Sequence, residues 1–145
     1  MNLLEKDITD VDFLQSLIPQ KPPFVMVDAL YHFSKTEIVS GFTIPNNHLF
    51  VFQNRFLAPG LIENMAQTVA LHTGYKCFLE KKKAPIGYIG AIKKAEVLSL
   101  PEVGYRLETS VEILHDIMGI TLVRAKVSCD GVVLARSEMK TALAN

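Results

Sequence analysis

Cysteine is scarce in this chain. Its 145 residues hold two, Cys77 and Cys129, with no Cys-x-x-Cys spacing. That leaves neither a disulfide framework nor a zinc pattern. No apolar run reaches the 18 or so residues of a membrane span. The first residues, Met1 to Asp7, place acids where a signal peptide needs a basic stretch and then an apolar one. A cytoplasmic protein is expected. An excess of one charge is also missing, since fifteen basic residues face fifteen acidic ones. A dedicated duplex-DNA binder needs a basic surplus, so nucleic acid is not the expected partner. No repeat, low-complexity tract or linker divides the chain. One domain over residues 1–145 is expected.

Apolar residues are plentiful, at 49% of the chain, with a mean hydropathy of +0.23. One small core does not need that much, so part of the apolar surface is expected to meet another subunit. Helical spacing runs from Asp7 to Ile18, with Thr9 or Asp10 as cap and Pro19 as stop. Phe24–Phe33 and Thr36–Ile44 read as paired strands around Ser34-Lys35. Residues 45–57 read as an irregular, aromatic-rich loop. The strongest helix spans Ala58–Glu80, with Pro59 in its first turn. It is apolar nearly all round, which predicts burial on most faces. Four strands follow: Pro85–Leu98, Gly104–Ile117, Gly119–Cys129 and Val132–Leu143. Met118-Gly119 and Asp130-Gly131 are the tight links between the last three. One curved antiparallel sheet around a central helix satisfies this order, an α+β architecture.

Three motifs in this order resemble the hotdog-fold β-hydroxyacyl-acyl-carrier-protein dehydratases. The first is Leu17-Ile18-Pro19-Gln20-Lys21-Pro22-Pro23-Phe24-Val25-Met26-Val27-Asp28. The second is Glu63-Asn64-Met65-Ala66-Gln67 on the central helix. The third runs from Gly119-Ile120-Thr121 to Asp130-Gly131-Val132-Val133. In that family a His before the helix and the helix Glu form the dehydration pair across a dimer. Here Arg55 stands before Phe56 where the family has that His, and the loop is two residues shorter. With the helix kept ungapped, Ala58 takes the place of the family's Gly whose N–H polarises the thioester carbonyl. Deleting two residues inside the helix would instead turn Glu63 by about 200°. The shortened form is most similar to the dehydratase-like proteins of aryl-polyene and flexirubin pathways. They share Glu63, Met65, Ala66, Gln67, Ala70, His72 and Gly74 of this helix.

Glu63 opens an apolar helix. A carboxyl kept from water there holds a proton more readily and can act as a general acid; the plain alternative is a helix-start carboxylate favoured by the dipole. His48 is the one histidine in the preceding loop that could approach Glu63 as a base, and it can equally be an ordinary loop residue. His72 lies nine residues after Glu63, on the opposite side of the helix and about 13 Å along it. A buried, hydrogen-bonded role is expected for it. Arg55 can hold a phosphate or simply face water. Phe50, Phe52, Phe56 and Met65 are core by default, but a fatty or polyenoic chain needs an apolar tunnel of this kind. Lys76, Lys81, Lys82, Lys83, Lys93, Lys94, Arg124, Lys126 and Arg136 can together form a basic face for an acidic carrier protein.

The resemblance implies removal of water from a 3-hydroxyacyl thioester to give the trans-2-enoyl product. It implies Glu63 and His48 as catalytic residues. Phe50, Phe52, Arg55, Phe56, Ala58, Gly60, Leu61, Met65 and Gln67 are the implied substrate-binding set. The implied partner is an acyl chain on acyl carrier protein or CoA, within a homodimer or a heterodimer with a related hotdog subunit. No metal and no organic cofactor is implied. A catalytically silent subunit and an acyl thioesterase are the competing readings.

Overall fold

The computed structural model describes the backbone of residues 1–143 and every side chain among them except that of Tyr88. A short helix, α1 (Val11–Ser16), precedes a hairpin of β1 (Ala29–Phe33) and β2 (Glu37–Thr43). A small hairpin, β3 (Val51–Phe52) and β4 (Arg55–Phe56), leads into the long helix α2 (Ala58–Leu79). Then come β5 (Gly87–Val97), β6 (Arg106–Ile117), β7 (Ile120–Cys129) and β8 (Val132–Leu143). The six long strands lie in the order β1-β2-β6-β7-β8-β5, every pair antiparallel. α2 packs on the inner face, against β2, β5, β6, β7 and β8. This is the hotdog arrangement.

Period-2 alternation supplies the wall that α2 meets. Leu107, Thr109 and Val111 of β6 and Val123, Ala125 and Val127 of β7 are buried, while the residues between them are more exposed. Leu61, Met65, Val69 and Leu71 fill the space from the helix side. Gly74 brings α1 against α2. A Cβ there would lie 1.9 Å from the carbonyl oxygen of Leu17, so only a bare α-carbon lets the end of α1 rest on the helix.

Three segments differ from the sequence expectation. α1 is shorter, because Asp10 caps it by accepting the Phe13 N–H at 3.2 Å. Ile8 instead exchanges two backbone hydrogen bonds with Leu30, at 2.9 and 2.8 Å. The strand expected from Phe24 starts only at Ala29. Met26 cannot join a ladder, since its N–H goes to Gln67 Oε1 and its carbonyl takes Asn64 Nδ2. The loop over 45–57 contains β3 and β4, joined through Gln53 and Asn54 at φ 50° and 66°. Two positive φ values in a two-residue turn match the twist of a hairpin.

Candidate active site

α2 starts without a side-chain cap, with Leu57 at the N-cap and Pro59 in the first turn. Gly60 is part of how this start is built. A Cβ at Gly60 would sit 2.6 Å from the Phe56 ring, so the fully buried Phe56 packs directly under the first turn. Glu63 follows one turn on, half-buried. Gln67, a further turn along, donates Nε2–H to Glu63 Oε1 at 3.2 Å. The same Nε2 donates to the Phe24 carbonyl at 2.7 Å, and Oε1 accepts the Met26 N–H at 2.6 Å. Gln67 is completely buried. Three of its bonds thus fix one carboxylate oxygen relative to the segment over 24–26.

Behind this pair lies a buried polar chain that the sequence did not announce. Asn64 Nδ2 donates to the Met26 carbonyl at 2.8 Å, and its Oδ1 accepts from Thr109 Oγ1 at 2.5 Å. Thr68 Oγ1 donates to the Asn64 carbonyl at 2.8 Å and meets Ser40 Oγ at 2.7 Å. Every side-chain polar atom of Ser40, Asn64, Thr68 and Thr109 finds a partner, so α2 is locked in rotation and height against β2 and β6. The one signal in the sequence was the presence of polar residues at core-facing positions of an apolar helix.

Glu63 stands at the edge of a cavity of about 300 Å³. Its helix wall is Ala66, Val69, Ala70 and Thr73; Leu17, Pro19 and Gln20 form one end. Pro85, Gly87, Ile89, Thr141 and Leu143 form the far wall, from β5, β8 and the segment before β5. Among the described lining residues Glu63 is the one titratable group. From Glu63 to Thr73 the helix advances roughly 15 Å.

Within the protomer Phe50, Phe52 and Phe56 do not line this cavity. The short β3–β4 hairpin sends its side chains opposite ways. Phe52 points out, 62% exposed, and Phe56 points into the core. Phe50 packs beside His48. Leu61 and Met65 are fully buried core residues. Arg55 ties the hairpin to the loop before β6: Nη1 donates to the Leu100 carbonyl at 2.8 Å, and Nη2 lies 3.5 Å from Glu102. Ala58 and Gly60 sit at the helix start below Glu63, and the Ala58 N–H has no acceptor among the described residues.

His48 lines a different cavity, with Pro22, Pro23, Val25, Val27, Asp28 and Phe42 among its neighbours. Its Nδ1 accepts the Phe50 N–H at 3.1 Å. Burial lowers the His48 pKa below the ordinary histidine value, partly offset by the Val25 backbone. The ring is therefore neutral near pH 7, with its unprotonated nitrogen already engaged. Within one protomer His48 and Glu63 do not share a cavity. His72 donates Nε2–H to the Ser34 carbonyl at 2.8 Å and lies against Phe33. Burial is the largest influence on it and lowers its pKa. It holds the end of α2 to the β1–β2 turn, as a buried and satisfied histidine.

Known proteins match this arrangement. The 3-hydroxyacyl-[acyl-carrier-protein] dehydratase FabZ of Anaeromyxobacter sp. (strain K) is 31% identical over 147 aligned positions, covering 97% of this chain and 94% of that one. FabZ of Vibrio cholerae is 26% identical over 144, covering 95% and 94%. Among solved structures, the dehydratase heterocomplex ApeI:P from Xenorhabdus doucetiae superposes with a TM-score of 0.84 at 18% identity, over 91% of both chains. A hypothetical thioesterase from Streptococcus pneumoniae, bound to coenzyme A, reaches 0.63 at 9% identity over 80% and 84%. The ApeP-like model, described as ApeP dehydratase, matches residues 13–144. With the hotdog fold, the Glu63–Gln67 pair and this match in place, the chain belongs to the ApeP-like dehydratase family.

Proposed function

We propose that the chain dehydrates a 3-hydroxyacyl thioester carried on acyl carrier protein, with Glu63 as its acid–base group. The FabZ relatives are named for that substrate, which supports the choice of thioester. In the reaction a base takes the C2 proton, the C2–C3 double bond forms, and the C3 hydroxyl leaves as water after gaining a proton. Glu63 delivers the proton to the hydroxyl, held in place by Gln67. The acyl chain runs along Ala66, Ala70 and Thr73. Ala58, Gly60 and Leu61 bring the positive end of α2 near the thioester carbonyl.

One observation carries this reading: among its described lining residues the cavity holds a single titratable group, and that group is a carboxylate pinned by a buried amide. Such a cavity supplies half of an acid–base pair. The other half comes from a second hotdog subunit lying along β5, which walls the same cavity. A related subunit supplies its own base if the dimer is mixed; His48 of a second copy serves only if its Nδ1 gives up the Phe50 N–H. The test is turnover of 3-hydroxydecanoyl-acyl carrier protein by the wild type and by Glu63→Gln, with and without a second dehydratase subunit. General acid–base assistance is worth roughly 10² to 10⁴-fold, so Glu63→Gln should lose that factor while remaining folded. Undiminished turnover in that variant would place the chemistry elsewhere. Release of free carrier thiol instead of an enoyl product would favour a thioesterase.

A further inference from the structure

One end of the molecule carries apolar residues that the core does not use. β6 and β7 are joined through Met118 and Gly119, at φ 54° and 79°. Two positive φ values make the tight turn such a hairpin wants, and its first position favours asparagine, aspartate or glycine. Met118 occupies it instead, left-handed and 95% exposed. A methionine gains no packing there and suits that backbone poorly. Ile117 before it is 63% exposed, and Ile120 after it is exposed too. A subunit lying along β5 is separated from this turn by β8.

The end of α2 reaches the same place. His72 bonds the Ser34 carbonyl in the β1–β2 turn, and Asp116, near the end of β6, lies close enough to favour the charged ring. Two turns past His72 the helix stops. The Lys82 N–H reaches back to the Cys77 carbonyl at 2.8 Å, with Lys81 at φ 58°. Phe78 and Leu79 in that last turn are exposed. Lys81, Lys82 and Lys83 follow directly, with Lys76 one turn earlier and Lys35 in the β1–β2 turn. The carboxylates here are engaged. Glu37 lies 3.6 Å from His32, Glu80 lies 3.5 Å from Lys82, and Asp116 accepts from Thr121 Oγ1 at 3.3 Å. Lys35, Lys76, Lys81 and Lys83 make no ion pair among the described residues.

We propose that this end docks on an anionic lipid surface, with Ile117 and Met118 entering the headgroup layer and the lysines holding lipid phosphates. Exposed apolar side chains bounded by unpaired cations match such a surface on both counts. Met118 stands off a turn and lines neither cavity described above, a shape suited to insertion rather than to packing in a groove. The acidic carrier protein of the proposed function delivers its thioester at the start of α2, roughly 30 Å of helix away, so these lysines are free for another anion. No helix among the described residues is long and apolar enough to cross a membrane, so the contact is peripheral.

The test is flotation. The purified chain, about 1 µM and cleared by a hard spin, rises through a sucrose gradient only when bound to vesicles; aggregate sinks. Vesicles of phosphatidylglycerol mixed with phosphatidylcholine should carry at least about tenfold more chain than phosphatidylcholine alone. Lys81→Gln, Lys82→Gln and Lys83→Gln together should cut binding about a hundredfold, near fivefold per lysine. Met118→Asn suits the left-handed position and changes no charge. It should keep or raise the melting temperature while weakening flotation about tenfold. Near 1 M salt the lysine effect should fade and the Met118 effect persist. Equal flotation on both vesicles, flotation on neither, or undiminished flotation of Met118→Asn would overturn the proposal. So would a carrier protein that binds the three lysines while vesicles do not. Flotation reads binding alone, so its outcome is independent of the chemistry assigned to Glu63.

Discussion

Gln67 carries two loads that can be separated by measurement. It orients Glu63 and it anchors Met26 and Phe24. Gln67→Ala leaves the Met26 N–H buried and unpaired, at a cost of about 1–3 kcal/mol, read as a lower midpoint in urea. If it also positions the carboxylate, kcat should fall by about tenfold while KM changes little, and the alkaline limb of the kcat pH profile, set by the proton Glu63 delivers, should move. A purely structural role would leave that limb in place. His48 and His72 give a second prediction at this scale. Both have folded-state pKa values lowered mainly by burial, so the unfolded chain binds more protons as pH falls. Their stability contribution is complete above the unfolded value near 6.5 and is lost progressively below it, down through the folded pKa values. Acid unfolding should therefore begin below pH 6.5, and His72→Gln should flatten the dependence, as read by thermal melts from pH 7.5 to 4.5. The Glu63–Gln67 bond joins residues one helical turn apart, a spacing visible in the sequence, although Gln67 was expected only in the substrate-binding set. Asn64 and Thr109 were not legible as a pair. Their bond joins residues 45 positions apart, and nothing in either neighbourhood names the other.

At the scale of elements, α2 has one face packed on α1 and the sheet and one that lines the Glu63 cavity. The packed face fails at Gly74. Gly74→Ala drives a methyl group into the Leu17 carbonyl, so α1 must lift or shift, and a loss of more than about 2 kcal/mol is expected from calorimetry. The cavity face, to which the proposed function assigns the acyl chain, is Ala66, Ala70 and Thr73. Ala70→Phe should fill the cavity and cut kcat/KM for a decanoyl substrate far more than for a butanoyl one, with the melting temperature little changed. Elements were read well where periodicity was long, in α2 and the last four strands. They were misread where a partner took the backbone. Phe24–Asp28 has a strand's composition, yet α2 side chains claim both hydrogen-bonding groups of Met26. The three phenylalanines between 50 and 56 look like one apolar surface in sequence. A hairpin of two residues per strand separates them, because alternation puts Phe52 and Phe56 on opposite sides.

In the molecule as a whole, the Glu63 cavity lies beside β5, an edge strand that no other described strand covers. The six strands and helix were foreseeable, since one helix and this many strands have few ways to share a core. A second catalytic group was not, and among the described residues none shares the Glu63 cavity within the protomer. Uncovered β5 and the even charge balance act together in a further way. A sequence isoelectric point near 6.9 leaves a lone protomer almost without net charge in ordinary buffers, so little long-range repulsion keeps one copy from another. Contacts between the exposed Ile89, Ile92 and Val97 of many copies are then little opposed. Produced without a companion subunit, the chain should accumulate largely as insoluble material at neutral pH. Yield in the soluble fraction should rise when it is made together with its partner, or when cells are lysed near pH 9. Its cellular abundance would then be set by the supply of that companion rather than by its own rate of synthesis.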